Sequence, residues 1–196
     1  MSERGDAELR ANIFAQLGAD KPRTVLVTPF TVSDRATGVA IRLSKSLVAA
    51  GRKTTIVELP GADSTLCSHF ETPVSSGFAD ALRAGTIPKR LEDVGGVKGL
   101  SLVLAGISGE DAEDLVASAP TGAYLTQLKD SGLWTIVLAG TAADSSATQI
   151  LSHICDGVVL VATHGQTNRV EAANLVATMR DTSVPILGVV LGPVKD

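Results

Sequence analysis

Six short runs of aliphatic and β-branched residues recur along the chain: 24–28, 54–58, 100–104, 133–139, 156–162 and 186–191. Runs this short, with little alternation, read as strands covered on both faces. Between them apolar residues fall three or four apart, the period of a helix. Leu9, Ile13 and Leu17 share one face of a helix over 7–17, with Asp6 as N-cap and Gly18 as stop. Ala40, Leu43 and Leu47 line the inner face of a helix over 37–50 that ends at Gly51, with Thr37 as its N-cap. Residues 62–76 have no period and read as a loop. A short helix over 77–85 is closed by Gly85, and 87–94 reads as another. The span 110–117 carries acids in its first turn, where the helix dipole favours them, and Pro120 separates it from a helix over 121–129. The spans 145–154 and 168–180 are also helical, the latter with Val170, Leu175 and Val176 inward.

Strands alternating with helices require right-handed crossovers and a mainly parallel sheet with helices on both faces, an α/β protein of three layers. With no repeat and no break in composition, 1–196 is a single domain, its N-terminal helix at about 6–18 and its core at about 23–192. Ligands of such sheets bind beyond the carboxyl ends of the strands, so the loops after Thr28, Glu58, Leu138 and Ala162 share the functional edge.

Composition narrows the function. The 196 residues are 44% hydrophobic but only 3% aromatic, so the core is aliphatic. The net charge is −4 and no basic cluster stands out in the sequence, which argues against nucleic acid as a partner. No apolar run reaches the roughly 18–20 residues that span a bilayer, and the polar start of the chain has no signal-peptide core. A cytoplasmic location is expected. Cys67 and Cys155 are read as small buried apolar residues. His69, His153 and His164 show no ligand spacing, so no metal site is expected.

The run at 24–28, its following loop and the helix ending at Gly51 have the layout of a phosphate-binding loop, where G-x-x-x-x-G-K-[ST] is expected. Residues 29–37 read Pro-Phe-Thr-Val-Ser-Asp-Arg-Ala-Thr, with neither glycine nor lysine. The frame of a nucleotide site is present without its phosphate-binding parts.

Further segments carry a resemblance: Leu9-Arg-Ala-Asn-Ile13, Val27-Thr-Pro leading to Thr37-Gly38, Gly77-Phe-Ala-Asp-Ala-Leu-Arg-Ala-Gly85, Val103-Leu-Ala-Gly106, Asp156-Gly-Val-Val-Leu-Val-Ala162 and Gly188-Val-Val-Leu-Gly192. In order and spacing, from about Ala7 to Gly192, the chain resembles the cytoplasmic kinase domain of bacterial tyrosine kinases and polysaccharide co-polymerases. These serve capsular and exopolysaccharide export and share the P-loop class of the Min and Par ATPases. The resemblance puts the family's loop glycines at Ser33 and Arg35 with Asp34 between them, its lysine at Ala36, and its magnesium hydroxyl at Thr37. Its acid after the second strand falls on Glu58 and its Walker B carboxylate on Leu138. Asp144 is an acid downstream of the primary metal shell.

What the resemblance implies is a pseudokinase: a P-loop-like domain with a vestigial nucleotide site, no catalytic residue and no cofactor. It would regulate or scaffold surface-polysaccharide synthesis, export and chain length at the inner face of the plasma membrane. Its partner would be a membrane chain-length-determining protein, fused or separate. The family's ring assembly places Arg10 and Asn12 at a homo-oligomer interface. The family's tyrosine-rich tail is not matched, since Tyr124 is the only tyrosine and reads as core, as does Trp134. His164, Gln166 and Thr167 are placed along the old pocket. Two alternatives stand beside this. One is an active ATP-dependent kinase or ATPase using Mg-ATP at a non-standard site of Arg35, Thr37, Glu58 and Asp144. The other is a degenerate partition-type ATPase acting as a localisation factor.

Overall fold

The computed structural model describes residues 3–31, 35–62, 65–73, 76–141, 146–164, 167–180 and 184–192. In chain order the elements are α1 (Glu3–Leu17), β1 (Thr24–Pro29), α2 (Arg35–Ala49), β2 (Thr54–Glu58), α3 (Leu66–His69) and α4 (Phe78–Arg83). They continue with β3 (Leu100–Val103), α5 (Ala112–Val116), α6 (Ala119–Asp130) and β4 (Trp134–Leu138). The last are α7 (Ser146–Ile154), β5 (Gly157–Thr163), α8 (Arg169–Arg180) and β6 (Ile186–Gly192). The six strands form one sheet in the order β3-β2-β4-β1-β5-β6, and every adjacent pair is parallel.

Parallel strands are linked by helices that cover both faces, and the sequence of each strand answers that demand. Every residue of β1 to β5 is buried. One face packs against α1, α2 and α3 through Leu9, Ile13, Ala40, Leu43, Leu47 and Leu66. The other packs against α4 to α8 through Phe78, Val116, Leu125, Leu151 and Met179. Trp134 is 2% exposed and meets Phe14 edge-on, with ring centroids 5.4 Å apart. Strand hydroxyls find partners inside: Thr55 Oγ1 and Ser101 Oγ lie 2.7 Å apart, and Thr28 Oγ1 donates to the Gly140 carbonyl at 2.6 Å.

Several expectations need correction. α1 starts at Glu3, so Asp6 is inside it rather than its cap, and its carboxylate meets Arg42 Nε at 3.2 Å. α2 starts at Arg35, which leaves Thr37 inside the first turn rather than at the N-cap. The stretch read as loop contains α3. The stretch 87–94 is not a helix: Leu91 pairs antiparallel with Leu102 at the outer edge of β3, held by hydrogen bonds of 2.8 and 2.9 Å, and a 3₁₀ turn follows at Val94–Gly96. Pro88 and the charged Lys89-Arg90 deny this segment an inward helical face. Val170 is 67% exposed because it lies in the first turn of α8, before that helix reaches the sheet. Val176 packs partly buried as expected, and the Leu175 side chain lies outside the described set.

Trp134 fills more of the α1 side of the core than any other side chain. Trp134→Ala is expected to lower unfolding free energy by about 3–5 kcal/mol, measurable by urea denaturation.

Candidate functional site

The carboxyl ends of β1, β2, β4 and β5 converge on one edge, and α2 begins there. Thr28 and Pro29 end β1, and the Phe30 N–H extends the pairing with β5 by bonding the Val161 carbonyl at 3.0 Å. Ser33, Asp34 and Asp144 lie outside the described residues. Arg35 is placed only as the first residue of α2.

Ala36 is 2% exposed and Leu138 is 1% exposed, and both belong to the same buried apolar cluster. Leu138 stands between Val27 of β1 and Glu58 of β2 in register. A lysine and a carboxylate at these two positions would sit at the edge of the core, where an unpaired charge is costly. Apolar side chains have closed it. Thr37 is 1% exposed and its hydroxyl has no hydrogen-bond partner. That orphan fits a nucleotide-site remnant. Among the described residues, no cationic side chain stands at Ala36 and no carboxylate at Leu138, where a reacting Mg-ATP would call on them.

Glu58 ends β2 and is 6% exposed. Its Oε2 accepts the Ala105 N–H at 2.9 Å. A clamp that sequence reasoning missed holds the loop carrying Ala105. Asp80 Oδ2 accepts the Gly77 N–H at 2.9 Å and the Ile107 N–H at 3.0 Å. Arg83 grips Asp111 through Nε at 2.8 Å and Nη2 at 2.5 Å, and donates to the Ile107 carbonyl at 2.7 Å. The Gly77 and Ile107 amides, then Arg83, hold the Asp80 carboxyl below its ordinary range. Gly77 and Gly106 let the two backbones touch: a Cβ on Gly77 would overlap the Leu104 carbonyl and the Gly106 amide. Gly106 also has φ +80, which side chains resist. The sequence signal was available in Gly77 with an acid three residues on, a capping pattern.

The other expected residues spread apart. Arg10 is held by its own chain, donating to the Ser46 carbonyl at 2.9 Å and hydroxyl at 2.7 Å, while Asn12 is exposed. Tyr124 is buried against Phe78, its hydroxyl 3.4 Å from the Pro88 carbonyl, and burial pushes its pKa up to about 12. Cys155 is buried, with its thiol raised to about 12, chiefly by burial. Cys67 is only half-buried, and burial followed by Glu58 raises its thiol too. His164 is exposed, Thr167 Oγ1 accepts the Thr163 N–H at 3.0 Å, and Gln166 lies outside the described residues. His164 and Thr167 border an apolar groove of about 680 Å³ floored by Phe30 and Ala162. This groove lies on the α8 side of the sheet, so it is separate from the Thr37 position.

Among the described residues, no group of three or more potential metal ligands comes together, and no helix is long and apolar enough to cross a membrane.

The parallel six-stranded sheet and the α2 start beyond β1 define a P-loop NTPase-like fold. Solved structures with the same fold include kinase domains and a cell division protein complex. The VpsO kinase domain superposes with a TM-score of 0.83 at 19% identity, covering 98% of this chain and 96% of its own. The kinase domain of Escherichia coli tyrosine kinase ETK gives 0.86 at 16% identity, covering 98% and 75%. The Aquifex aeolicus MinC:MinD cell division complex gives 0.68 at 15% identity, covering 88% and 69%. No protein-family model matches the chain, and no curated protein matches it in sequence.

Two predictions follow from this geometry. Thr37→Val keeps the shape and removes an unpartnered hydroxyl, so it should stabilise by about 1 kcal/mol, raising Tm by about 2–4 °C. Asp80→Asn should lower Tm at pH 7. Because the folded-state pKa of Asp80 is depressed, its contribution is present above its ordinary value of about 4 and is lost as pH falls through the folded value. The Tm gap between wild type and Asp80→Asn should therefore narrow below about pH 4.

Proposed function

We propose that this chain is a kinase-like domain that no longer transfers phosphate and that regulates or scaffolds surface-polysaccharide synthesis, export and chain length. Ala36 and Leu138 carry this reading. At the positions of the phosphate-binding lysine and the metal carboxylate, the chain has side chains built into its core. A site that had merely moved its charges would keep those positions polar. The similarity to the VpsO and ETK kinase domains supports the kinase-like part of the reading. The setting in polysaccharide export follows from the motif resemblance, with a membrane chain-length-determining protein as partner and the inner face of the plasma membrane as location. In a ring of such domains, Asn12 faces outward from α1, while Arg10 would first have to leave Ser46.

A second reading is favoured by the Thr37 hydroxyl and the buried Glu58 carboxylate: nucleotide is bound and not turned over. Thermal unfolding with millimolar Mg-ATP or Mg-ADP separates the two. A ligand at about 100 times its Kd stabilises by about 2.7 kcal/mol, several degrees in a domain of this size. The pseudokinase reading in its strict form expects no shift and no phosphate release. A shift of several degrees that disappears in Thr37→Val would establish the second reading, and steady release of phosphate would sink both.

A further inference from the structure

Cations scattered through the sequence meet at the end of the sheet opposite the candidate site. Lys53 directly precedes β2, Lys98 lies two residues before β3, and Lys21 lies three residues before β1. All three are exposed, and Arg52 stands beside Lys53 half-buried. None of the four forms an ion pair with a described residue, and the Arg52 Nε has no hydrogen-bond partner. Arg23 and Lys129 lie at the same end and are occupied by Asp156, at 3.7 and 3.3 Å. The other carboxylates here are Asp20, Asp93 and Asp130, of which Asp93 accepts the Gly99 N–H at 2.7 Å. Among the described residues, six cations face four carboxylates at this end, in a chain whose net charge is −4.

Parallel α/β folds bring helix carboxyl ends to this side, where cations complement the helix dipole. That explanation covers Lys129, in the last turn of α6. It reaches Arg52, whose N–H caps α2 by bonding the Leu47 carbonyl at 3.0 Å, but not Lys21, four residues beyond α1, or Lys98, which follows a 3₁₀ turn. The dipole effect fades within one helical turn.

We propose that this end of the sheet rests directly on an anionic phospholipid surface. Lys21, Arg52, Lys53 and Lys98 would contact the headgroups, with the candidate-site edge pointing away. The cations stand at the starts of β3, β2 and β1, in a sheet whose strands lie about 4.8 Å apart with β4 between β2 and β1, and a membrane presents a plane of negative charge to match them. A single-stranded nucleic acid would also call on exposed aromatic rings, and the aromatics nearest this end, Trp134 and Phe14, are packed into the core. The opposite charge on the remainder of the chain orients the domain. The inference goes beyond the pseudokinase reading, since it assigns a lipid contact to this chain itself and holds whether or not nucleotide binds.

Each basic side chain near an anionic surface contributes about fivefold in partition coefficient. The test measures partitioning onto vesicles of phosphatidylcholine with and without an equal part of phosphatidylglycerol, at 50 mM and 500 mM salt. Binding is expected only with phosphatidylglycerol and only at low salt. The variant Lys21→Gln/Lys53→Gln/Lys98→Gln should weaken it about a hundredfold while keeping the wild-type Tm. Lys89→Gln, a cation outside this row, should leave it unchanged. Partitioning that ignores phosphatidylglycerol or survives the triple substitution would overturn the proposal. So would a short duplex DNA that displaces the protein from vesicles at low micromolar concentration.

Discussion

The rest of the structure depends on a sheet whose strands all run the same way. Parallel neighbours cannot be joined by tight turns, so each strand hands over to a helix and each face of the sheet must be covered. That requirement explains why β1 to β5 are buried at every residue and why Thr28, Thr55 and Ser101 spend their hydroxyls on partners in the interior, though the buried Thr135 hydroxyl has none. It also gives the domain two chemically different ends. Strand carboxyl ends and helix starts meet at one, while strand amino ends and helix finishes meet at the other. Glu58, Thr37 and Leu138 belong to the first, and the lysine row to the second.

At the first end, support and chemistry have separated. The supporting parts are intact: Thr28 ties β1 to Gly140, the Ala105 amide fixes Glu58, and the Asp80–Arg83–Asp111 clamp holds the loop that carries Ala105. At the positions where the proposed reading expects groups for phosphate and metal stand Ala36 and Leu138, both in the core. Leu138 sits directly across from Glu58, so an apolar residue there also removes a second carboxylate from beside a buried one. The scaffold stays ordered because its hydrogen bonds never depended on the missing groups.

Strands were legible because aliphatic runs such as 24–28 and 156–162 have no other stable environment in a chain this size. The helices with a clean apolar face, around Leu43 and Leu47, were legible for the same reason. Residues whose structure depends on distant partners were harder. Leu91 belongs to a β-bridge only because Leu102 is beside it, and nothing local in Pro88-Lys89-Arg90 announces that pairing. The absence of lysine and of a strand-end carboxylate could be read directly from the residues. The orphaned state of the Thr37 hydroxyl could not, since it depends on what surrounds the first turn of α2. The clamp of Asp80 was half-visible as a capping pattern, but its second half, the Ile107 amide, comes from a loop 27 residues away. The lysine row was invisible for the same reason: strand order puts Lys53 beside Lys98 and brings Lys21 to the same end of the sheet, across β4.

The packing also bears on whether such a site is easily regained. Ala36 and Leu138 are not solvent-exposed gaps where a lysine and an aspartate could be reinstated one at a time. Each is nearly inaccessible and shares a cluster with residues of α2, β1 and β2. Either charge introduced alone would be buried without its partner, a change that ordinarily destabilises by several kcal/mol. That is a large share of the stability of a small domain. A charge at either position would therefore need compensating changes around it. Retaining the apolar pair keeps the sheet edge well packed for whatever the fold supports. In a parallel sheet, the same burial that makes a catalytic edge precise makes its loss hard to reverse.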